Sequence, residues 1–251
     1  MTEDESQREF VRDVLASLIE GLEQDPAQRD RFIAAVNKKT TAMTGIPRDG
    51  GDANWAALAM LQGCLVARAE MLYGSAGRHR FRELPFFMDQ LPGSSNRLNS
   101  GVFNCGEVDL YGIGIGGGSV TWSDVIYELA HESLHLLDPL ADVAVMPVAA
   151  IEEGVAVKFA EVVYSEHMRP HGAAQPVGSR AVAYDANYRS AYEATRKIPD
   201  EDLKRVRTHF GKFSAVTDTA AYRACVDAYV GDEEAQALAA PFIYRQLAKH
   251  A

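Results

Sequence analysis

The sequence WSDVIYELAHESLHLL at residues 122–137 is the most informative stretch of this chain. Four residues turn a helix by about 400°, so His131 and His135 would project from one face, one turn apart. The residues around them are apolar, as expected of a helix that packs against a core: Leu129, Ala130, Leu134, Leu136 and Leu137. The stretch therefore predicts a helix that presents two histidines side by side.

Two imidazoles at this spacing are typical of a zinc site. Each can reach the same ion at about 2.0–2.1 Å. Glu132 lies about 100° around the helix from His131, where it can touch a zinc-bound water instead of coordinating. Two histidines on the surface or packed between helices are the alternative, and these five residues alone leave both open. A catalytic zinc also needs a third protein ligand.

A second motif follows, where residues 151–156 read IEEGVA. Here the chain resembles the gluzincin metallopeptidases, zincin-like enzymes in which a second helix brings a glutamate to the zinc of the HExxH helix. Their second motif often reads Glu-Gly-x-Ala, and Glu153-Gly154-Val155-Ala156 fits that form. The resemblance, which covers about residues 107–165, implies Zn²⁺ held by His131, His135 and Glu153.

The resemblance also carries expectations about the neighbouring residues. Glu152 is the nearest rival for the third ligand position. A small residue, Gly154 or Ala156, would let the second helix approach the first closely. Because Val157 stands where the family often has an acidic partner for a zinc histidine, Asp138 or Glu161 would orient a histidine ring instead.

The ligand set implies a zinc-dependent metallohydrolase, most simply a peptidase acting on a peptide or protein substrate. Zinc would lower the pKa of bound water towards about 7, and Glu132 would act as general base. In related enzymes a Tyr or His from the C-terminal helices stabilises the oxyanion, and Tyr188 or Tyr192 is the choice here. The alternative is a catalytically inactive zincin-like protein with an interaction or regulatory role.

The rest of the chain is predicted to be mostly helical. Helices are expected at about residues 5–23, 26–39, 52–73, 122–137, 147–167, 185–197, 199–210, 217–229 and 232–249. β character is confined to residues 101–104, 107–115 and 119–121. The predicted class is α+β, a zincin-like metallopeptidase core with a small antiparallel β element before the HExxH helix. We expect a single domain, 1–251, in two lobes: residues 1–138, with the N-terminal helices, sheet and HExxH helix, and residues 139–251, a helical lobe with the third ligand.

A run of glycines precedes the HExxH helix, at positions 112, 114, 116, 117 and 118. It satisfies GxGxxG as a string, but a dinucleotide site would need a helix opening within the motif and then a further strand, which are not expected here. A hairpin or edge strand with a glycine turn is the structural interpretation. The functional one is that this strand borders the zinc cleft, where substrate would add as another strand.

Charge and cysteine content restrict partners and compartment. The formal net charge is −10, from 25 Lys and Arg against 35 Asp and Glu, which disfavours nucleic acids and anionic membranes. Three cysteines without a CxxC pair indicate neither a thiolate zinc site nor a disulfide framework. The acidic N-terminus lacks the features of a signal peptide, and no 18-residue window is wholly apolar. A cytoplasmic protein is expected, and its oligomeric state stays open.

Overall fold

Helices make up most of the protein. The computed structural model describes residues 2–90, 99–140 and 148–244. Its helices are α1 (Glu3–Glu20), α2 (Pro26–Thr40), α3 (Asp52–Tyr73), α4 (Trp122–His135), α5 (Ala150–Val163), α6 (Val177–Tyr184), α7 (Ala186–Thr195), α8 (Asp200–Phe210), α9 (Thr219–Val226) and α10 (Asp232–Ala239). The prediction of a mostly helical α+β chain is confirmed.

Several predicted helix boundaries needed correction. Helix α6 was not predicted, because eight residues containing Gly178 give too short a periodic signal. Helix α10 ends at Ala239, well before the predicted end at residue 249. That end, like the predicted start at residue 147, lies outside the described residues. The division into two lobes stays a prediction.

The sheet is mixed rather than antiparallel. Its strands are β1 (Arg80–Phe81), β2 (Phe86–Phe87), β3 (Gly101–Asn104) and β4 (Leu110–Ile115), and β4 pairs with each of the others. Only β3 runs antiparallel to β4, whereas β1 and β2 run parallel to it. Two-residue strands carry no alternation signal, so the sequence could not reveal β1 and β2.

The first half of the glycine run lies at the centre of this sheet and not at its edge, and the second half forms a turn after β4, in which the amide of Ser119 donates to Gly116 O at 3.1 Å. Gly112 and Gly114 belong to β4, and a Cβ added to Gly114 would lie 2.9 Å from ring carbons of Phe86 and Phe103. Glycine therefore makes room for aromatic rings from both neighbouring strands. The strand predicted at residues 119–121 is absent; Thr121 instead caps α4, its hydroxyl accepting from the amide of Asp124 at 3.2 Å.

Helix α3 runs through the hydrophobic core. Leu58, Leu61 and Leu65 have no exposed surface, and α3 packs against α1, α2, α4 and α8. By length and composition it is also the one helix in the described part of the chain that could cross a membrane, with 22 residues and a mean hydropathy of 1.2. A core helix passes the same test because most of its sides are apolar. The absence of a membrane span stays a prediction.

Arg207 links the C-terminal end of α4 to the core by hydrogen bonds. The buried guanidinium donates to Asp138 Oδ2 at 2.7 Å and to the carbonyl oxygens of Tyr73, Gly74 and Ser75 at 2.9–3.0 Å. Since Asp138 follows α4 directly, this cluster links the histidine helix to α3 and α8. Removing the cation would leave both a carboxylate and three carbonyls short of a partner.

We therefore expect Arg207→Met to destabilise the fold by about 3–5 kcal/mol, because it breaks a buried charge pair. Urea unfolding measures the change. Lys204→Met is the matched control: Lys204 is exposed on the same helix, so its loss should cost less than about 0.5 kcal/mol. Equal stability of the two variants would contradict a structural role for the Arg207 cluster.

Candidate metal centre

Three side chains converge between α4 and α5. The Nε2 atoms of His131 and His135 are 3.3 Å apart. Glu153 Oε2 lies 3.4 Å from His131 Nε2, and Glu153 Oε1 lies 3.6 Å from His135 Nε2. The possible ligand atoms, one from each of the three residues, all lie within 4.8 Å of one another. The residues predicted from sequence as metal ligands are thus brought together.

These separations can be compared with the distances between neighbouring ligand atoms in a tetrahedral zinc site. Two atoms that each lie about 2.05 Å from one zinc ion at the tetrahedral angle are about 3.3 Å apart. Two separations lie close to this value, 3.3 Å between the imidazole Nε2 atoms and 3.4 Å between His131 Nε2 and Glu153 Oε2; the other carboxylate oxygen, Oε1, lies 3.6 Å from His135 Nε2. Two imidazoles and one carboxylate are also a donor set that zinc accepts, with a fourth position left for water. The residues present therefore fit Zn²⁺ in both geometry and chemistry.

The carboxylate of Glu153 is buried without a full set of partners. The residue is 2% exposed, and its Oε2 has no hydrogen-bond partner among the described residues. A buried carboxylate oxygen without a donor is costly unless a cation satisfies it. The unpaired oxygen faces His131, on the side where the three ligand atoms converge. This feature supports a cation as the missing partner.

Glu152 orients the second histidine. Its Oε1 lies 2.9 Å from His135 Nδ1, which places the two groups in hydrogen-bond contact and leaves Nε2 directed at the cluster. Carboxylates commonly hold the outer nitrogen of a metal-binding histidine in this way. Glu152 is therefore not the rival ligand that the sequence suggested, because its carboxylate approaches the opposite side of the ring.

The two residues expected to orient a histidine have other partners. Asp138 accepts from Arg207. Glu161 Oε1 accepts from the hydroxyl of Tyr127 at 2.8 Å. Neither prediction was correct, because the sequence could not show that Glu152 and Glu153, adjacent in the first turn of α5, point to different atoms of the same imidazole.

Gly154 serves a different contact from the one expected. A Cβ at this position would lie 2.8 Å from the carbonyl oxygen of Ala191 and would also strike the hydroxyl of Thr195. Both residues belong to α7, so glycine lets α7, and not α4, approach α5 closely. The Glu-Gly-x-Ala segment of this chain thus contains the candidate ligand Glu153 and also packs against α7, the helix that carries Tyr188.

Tyr244 is a partner of Glu153 that sequence reasoning missed. Its hydroxyl donates to Glu153 Oε1, the oxygen that also lies 3.6 Å from His135 Nε2. The two residues are 91 positions apart, and no motif surrounds Tyr244. Only the folded chain reveals this contact.

Glu132, the predicted general base, is buried beside the two histidines and lines both cavities next to the cluster. It is 6% exposed. Burial raises the pKa of its carboxyl to about 7; His131 and His135 oppose the shift, and Glu128 and Glu153 reinforce it. A carboxyl that titrates near neutrality is suited to accept and return a proton at physiological pH.

The metal-free cluster holds a proton on the histidines. Burial by itself would lower the pKa of His135, but Glu153 and the hydrogen bond with Glu152 outweigh it and raise that pKa to about 10. Burial would likewise raise the pKa of Glu153, yet His135 and His131 bring it down to about 2. A metal ion needs a neutral imidazole, so its binding has to displace this proton.

Two cavities adjoin the cluster and meet at Glu132. The larger, about 250 Å³, is bounded by β3, by Glu132 and by the metal-ligand residues. The smaller, about 180 Å³, lies between α4 and α6 and includes Glu128. His131, Glu132 and Tyr188 line both. The strand beside the larger cavity is β3 and not β4, whereas Gly118, at the end of the glycine run, lines the smaller cavity.

The two candidate tyrosines have different surroundings. The ring of Tyr188 lies 6.4 Å from that of His131, and Tyr188 lines both cavities. Tyr192 lies one turn further along α7, with its ring 5.9 Å from the guanidinium of Arg196. Of these two candidates only Tyr188 belongs to the described lining of the cavities, which also includes Tyr127 in the smaller one and Tyr244 in the larger one. Of the two candidates, Tyr188 is therefore the one that lies beside the cluster.

The outer pair Glu152 and His135 gives a testable prediction. We expect Glu152→Ala to weaken zinc binding by about 10–100-fold, because the outer nitrogen of His135 loses its acceptor. Glu152→Gln should recover most of this loss, since an amide oxygen can still accept. Competition with a chelating dye measures both affinities, and equal loss in the two variants would show that charge rather than orientation is what Glu152 supplies.

Comparisons with models of protein families, with curated proteins and with solved structures found no match for this chain. The gluzincin resemblance therefore stays a prediction carried by the HExxH and Glu-Gly-x-Ala residues. What the chain can do has to be argued from the site itself.

Proposed function

We propose that this protein is a Zn²⁺-dependent hydrolase, most simply a peptidase of gluzincin type, with His131, His135 and Glu153 as zinc ligands. The observation that carries the proposal is the convergence of His131, His135 and a buried Glu153: the two Nε2 atoms are 3.3 Å apart, and Glu153 Oε2 lies 3.4 Å from that of His131. Surface histidines or histidines packed for stability have no reason to share this geometry with a buried carboxylate. Three protein ligands with an open position are typical of catalytic rather than structural zinc.

When bound, Zn²⁺ supplies a water of lowered pKa and polarises a carbonyl group. The residues of the chain provide the rest. Glu132, buried at the junction of the two cavities, accepts a proton from water and later donates it to the leaving amine. Tyr188 lines both cavities, and its ring lies 6.4 Å from that of His131. Its hydroxyl is the donor we assign to the developing oxyanion.

A peptide is the substrate class that the surroundings favour. The larger cavity is bounded by Ser100, Gly101 and Val102, at the start of β3. A strand at the rim of a cleft offers main-chain hydrogen bonds to an extended chain. The smaller cavity, with Val157, Val177 and Val182 in its wall, suits an apolar side chain beside the scissile bond.

A non-catalytic zincin-like protein is the second candidate. It would be favoured by a Glu153 that points away from the histidines or by a cleft filled with the chain's own side chains. Glu153 faces both histidines, and cavities of about 250 and 180 Å³ adjoin Glu132. These two features support the catalytic candidate.

Metal analysis and a peptide assay test the proposal together. Purified protein is expected to bind about one Zn²⁺ per chain and to cleave members of a mixed peptide library. A chelator should abolish cleavage, and added Zn²⁺ should restore it. Zinc binding without cleavage would favour the non-catalytic candidate, whereas cleavage that survives complete removal of metal would exclude zinc from the reaction.

A further inference from the structure

The C-terminal strap, residues 240–244, runs beside the metal centre and is paired with the chain just before α5. Ala150 N donates to Ala240 O, and Phe242 N donates to Val148 O, both at 2.8 Å. The side-chain amide of Asn187, on α7, donates to the carbonyl oxygen of Ile243 at 2.7 Å. The strap is thus attached on one side to the residues that lead into Glu153 and on the other to the helix that carries Tyr188.

The side chains of the strap continue this connection into the site. Phe242 is 6% exposed, and its ring lies 4.8 Å from Tyr188 and 5.0 Å from Tyr244. Tyr244 is partly exposed, yet its hydroxyl is directed inwards to Glu153 Oε1. A phenol at the surface has water as an alternative partner, so the inward contact depends on how the strap is held.

This contact distinguishes the two oxygens of Glu153. Oε1 accepts from Tyr244, whereas Oε2 has no partner among the described residues and lies 3.4 Å from His131 Nε2. A hydrogen bond to one oxygen fixes the rotation of the carboxylate and leaves the other oxygen directed at the cluster. Such outer partners of ligand residues typically change metal affinity by about 10–100-fold when they are lost.

We infer that Tyr244 is a positioning residue for the ligand Glu153, and that docking of the C-terminal strap and binding of the metal are coupled. The inference rests on the proposed zinc site. Coupling between two binding events is reciprocal, so a docked strap strengthens metal binding and bound metal holds the strap in place by the same factor. Tyr244 also lines the larger cavity, and the role inferred here is the one it exerts on metal binding through Glu153.

Tyr244→Phe tests the positioning role, because phenylalanine keeps the ring against Phe242 and removes only the hydroxyl. We expect its zinc affinity, measured by competition with a chelating dye, to fall by about 10–100-fold. Tyr184→Phe is the matched control, since Tyr184 is 82% exposed on α6, and its affinity should equal that of the unchanged protein. An unchanged affinity in Tyr244→Phe would overturn the inference and leave the proposed zinc site intact.

Hydrogen exchange tests the coupling without any assay of activity. Zinc is expected to slow exchange of the Phe242 amide in the unchanged protein and to slow it much less in Tyr244→Phe. A purely structural tyrosine would change exchange equally with and without zinc, which would also overturn the inference. If the unchanged protein binds no zinc, both the inference and the proposed function fall together, and that result is distinct from the other two.

Asn187→Ala provides a second route if Tyr244→Phe is poorly folded. It frees the strap at Ile243 without touching Glu153, so the metal ligands keep their own contacts. Coupling predicts a severalfold weaker zinc affinity and faster exchange at Phe242. Faster exchange with full zinc affinity would show that the strap and the metal are independent, contrary to the inference.

Discussion

Replacing Glu132 by glutamine is expected to lower the rate of peptide hydrolysis by about 10²–10⁴-fold while zinc stays bound. Glutamine has the same shape as glutamate but cannot take a proton from water. Glu132 contributes no ligand atom to the cluster, so the metal should be held as before. The loss corresponds to about 3–5 kcal/mol of transition-state stabilisation.

Steady-state kinetics and metal analysis of the same preparation check this result. Glu193→Gln is a suitable control, because its side chain is half exposed on α7 and pairs with Arg196 at the surface. It should retain both zinc and activity. Activity within threefold of the unchanged protein in Glu132→Gln would remove Glu132 from the mechanism, and loss of zinc in that variant would assign it to metal binding.

Replacing His135 by alanine is expected to have two large effects. Zinc affinity should fall by more than the roughly 10–100-fold predicted for the outer partners, because a ligand itself is lost. The metal-free protein should also lose about 3–5 kcal/mol of stability, since Glu152 and Glu153 would be buried side by side without their shared imidazole. Both carboxylates are at most 5% exposed, so water cannot replace it fully.

Chelator competition and denaturant unfolding separate these two effects. His209→Ala is the control, because His209 is exposed on α8 and contacts Phe210 rather than the cluster. A His135→Ala variant that binds zinc as tightly as the control would falsify the ligand assignment. Unchanged stability without metal would instead contradict the charge coupling described between His135 and the two glutamates.

The ligand set was open to prediction because it depends mainly on local spacing. His131 and His135 share a helix face whatever surrounds the helix, and Glu153 stands in a motif that can be read directly. The exact partner of each atom was not open to prediction. Glu152 and Glu153 are adjacent in sequence, and only the packing of α5 against α4 directs one to Nδ1 and the other to Nε2 of His135.

The errors have a common physical origin. The glycine run suggested an edge strand, but β4 is central, and its glycines, which have no side chain, leave room for aromatic rings from β2 and β3. Gly154 suggested contact with α4, but it faces α7. A glycine in a strand or helix indicates that another group packs closely against the backbone, but the sequence does not identify that group. Strands of two residues, such as β1 and β2, leave no pattern at all.

Helix positions and the histidine pair followed from the order of the residues, because each depends on neighbours within a few turns, and Glu153 was suggested by the resemblance of its motif to that of the gluzincins. The residues that contact the candidate ligands from outside the cluster, Glu152 and Tyr244, were identified only in the folded chain. Tyr244 reaches Glu153 across 91 positions, and it does so because backbone pairing between the C-terminal strap and residues 148–150 brings the two together. Long-range contacts of this kind are selected by the packing of the whole domain, which local patterns do not encode.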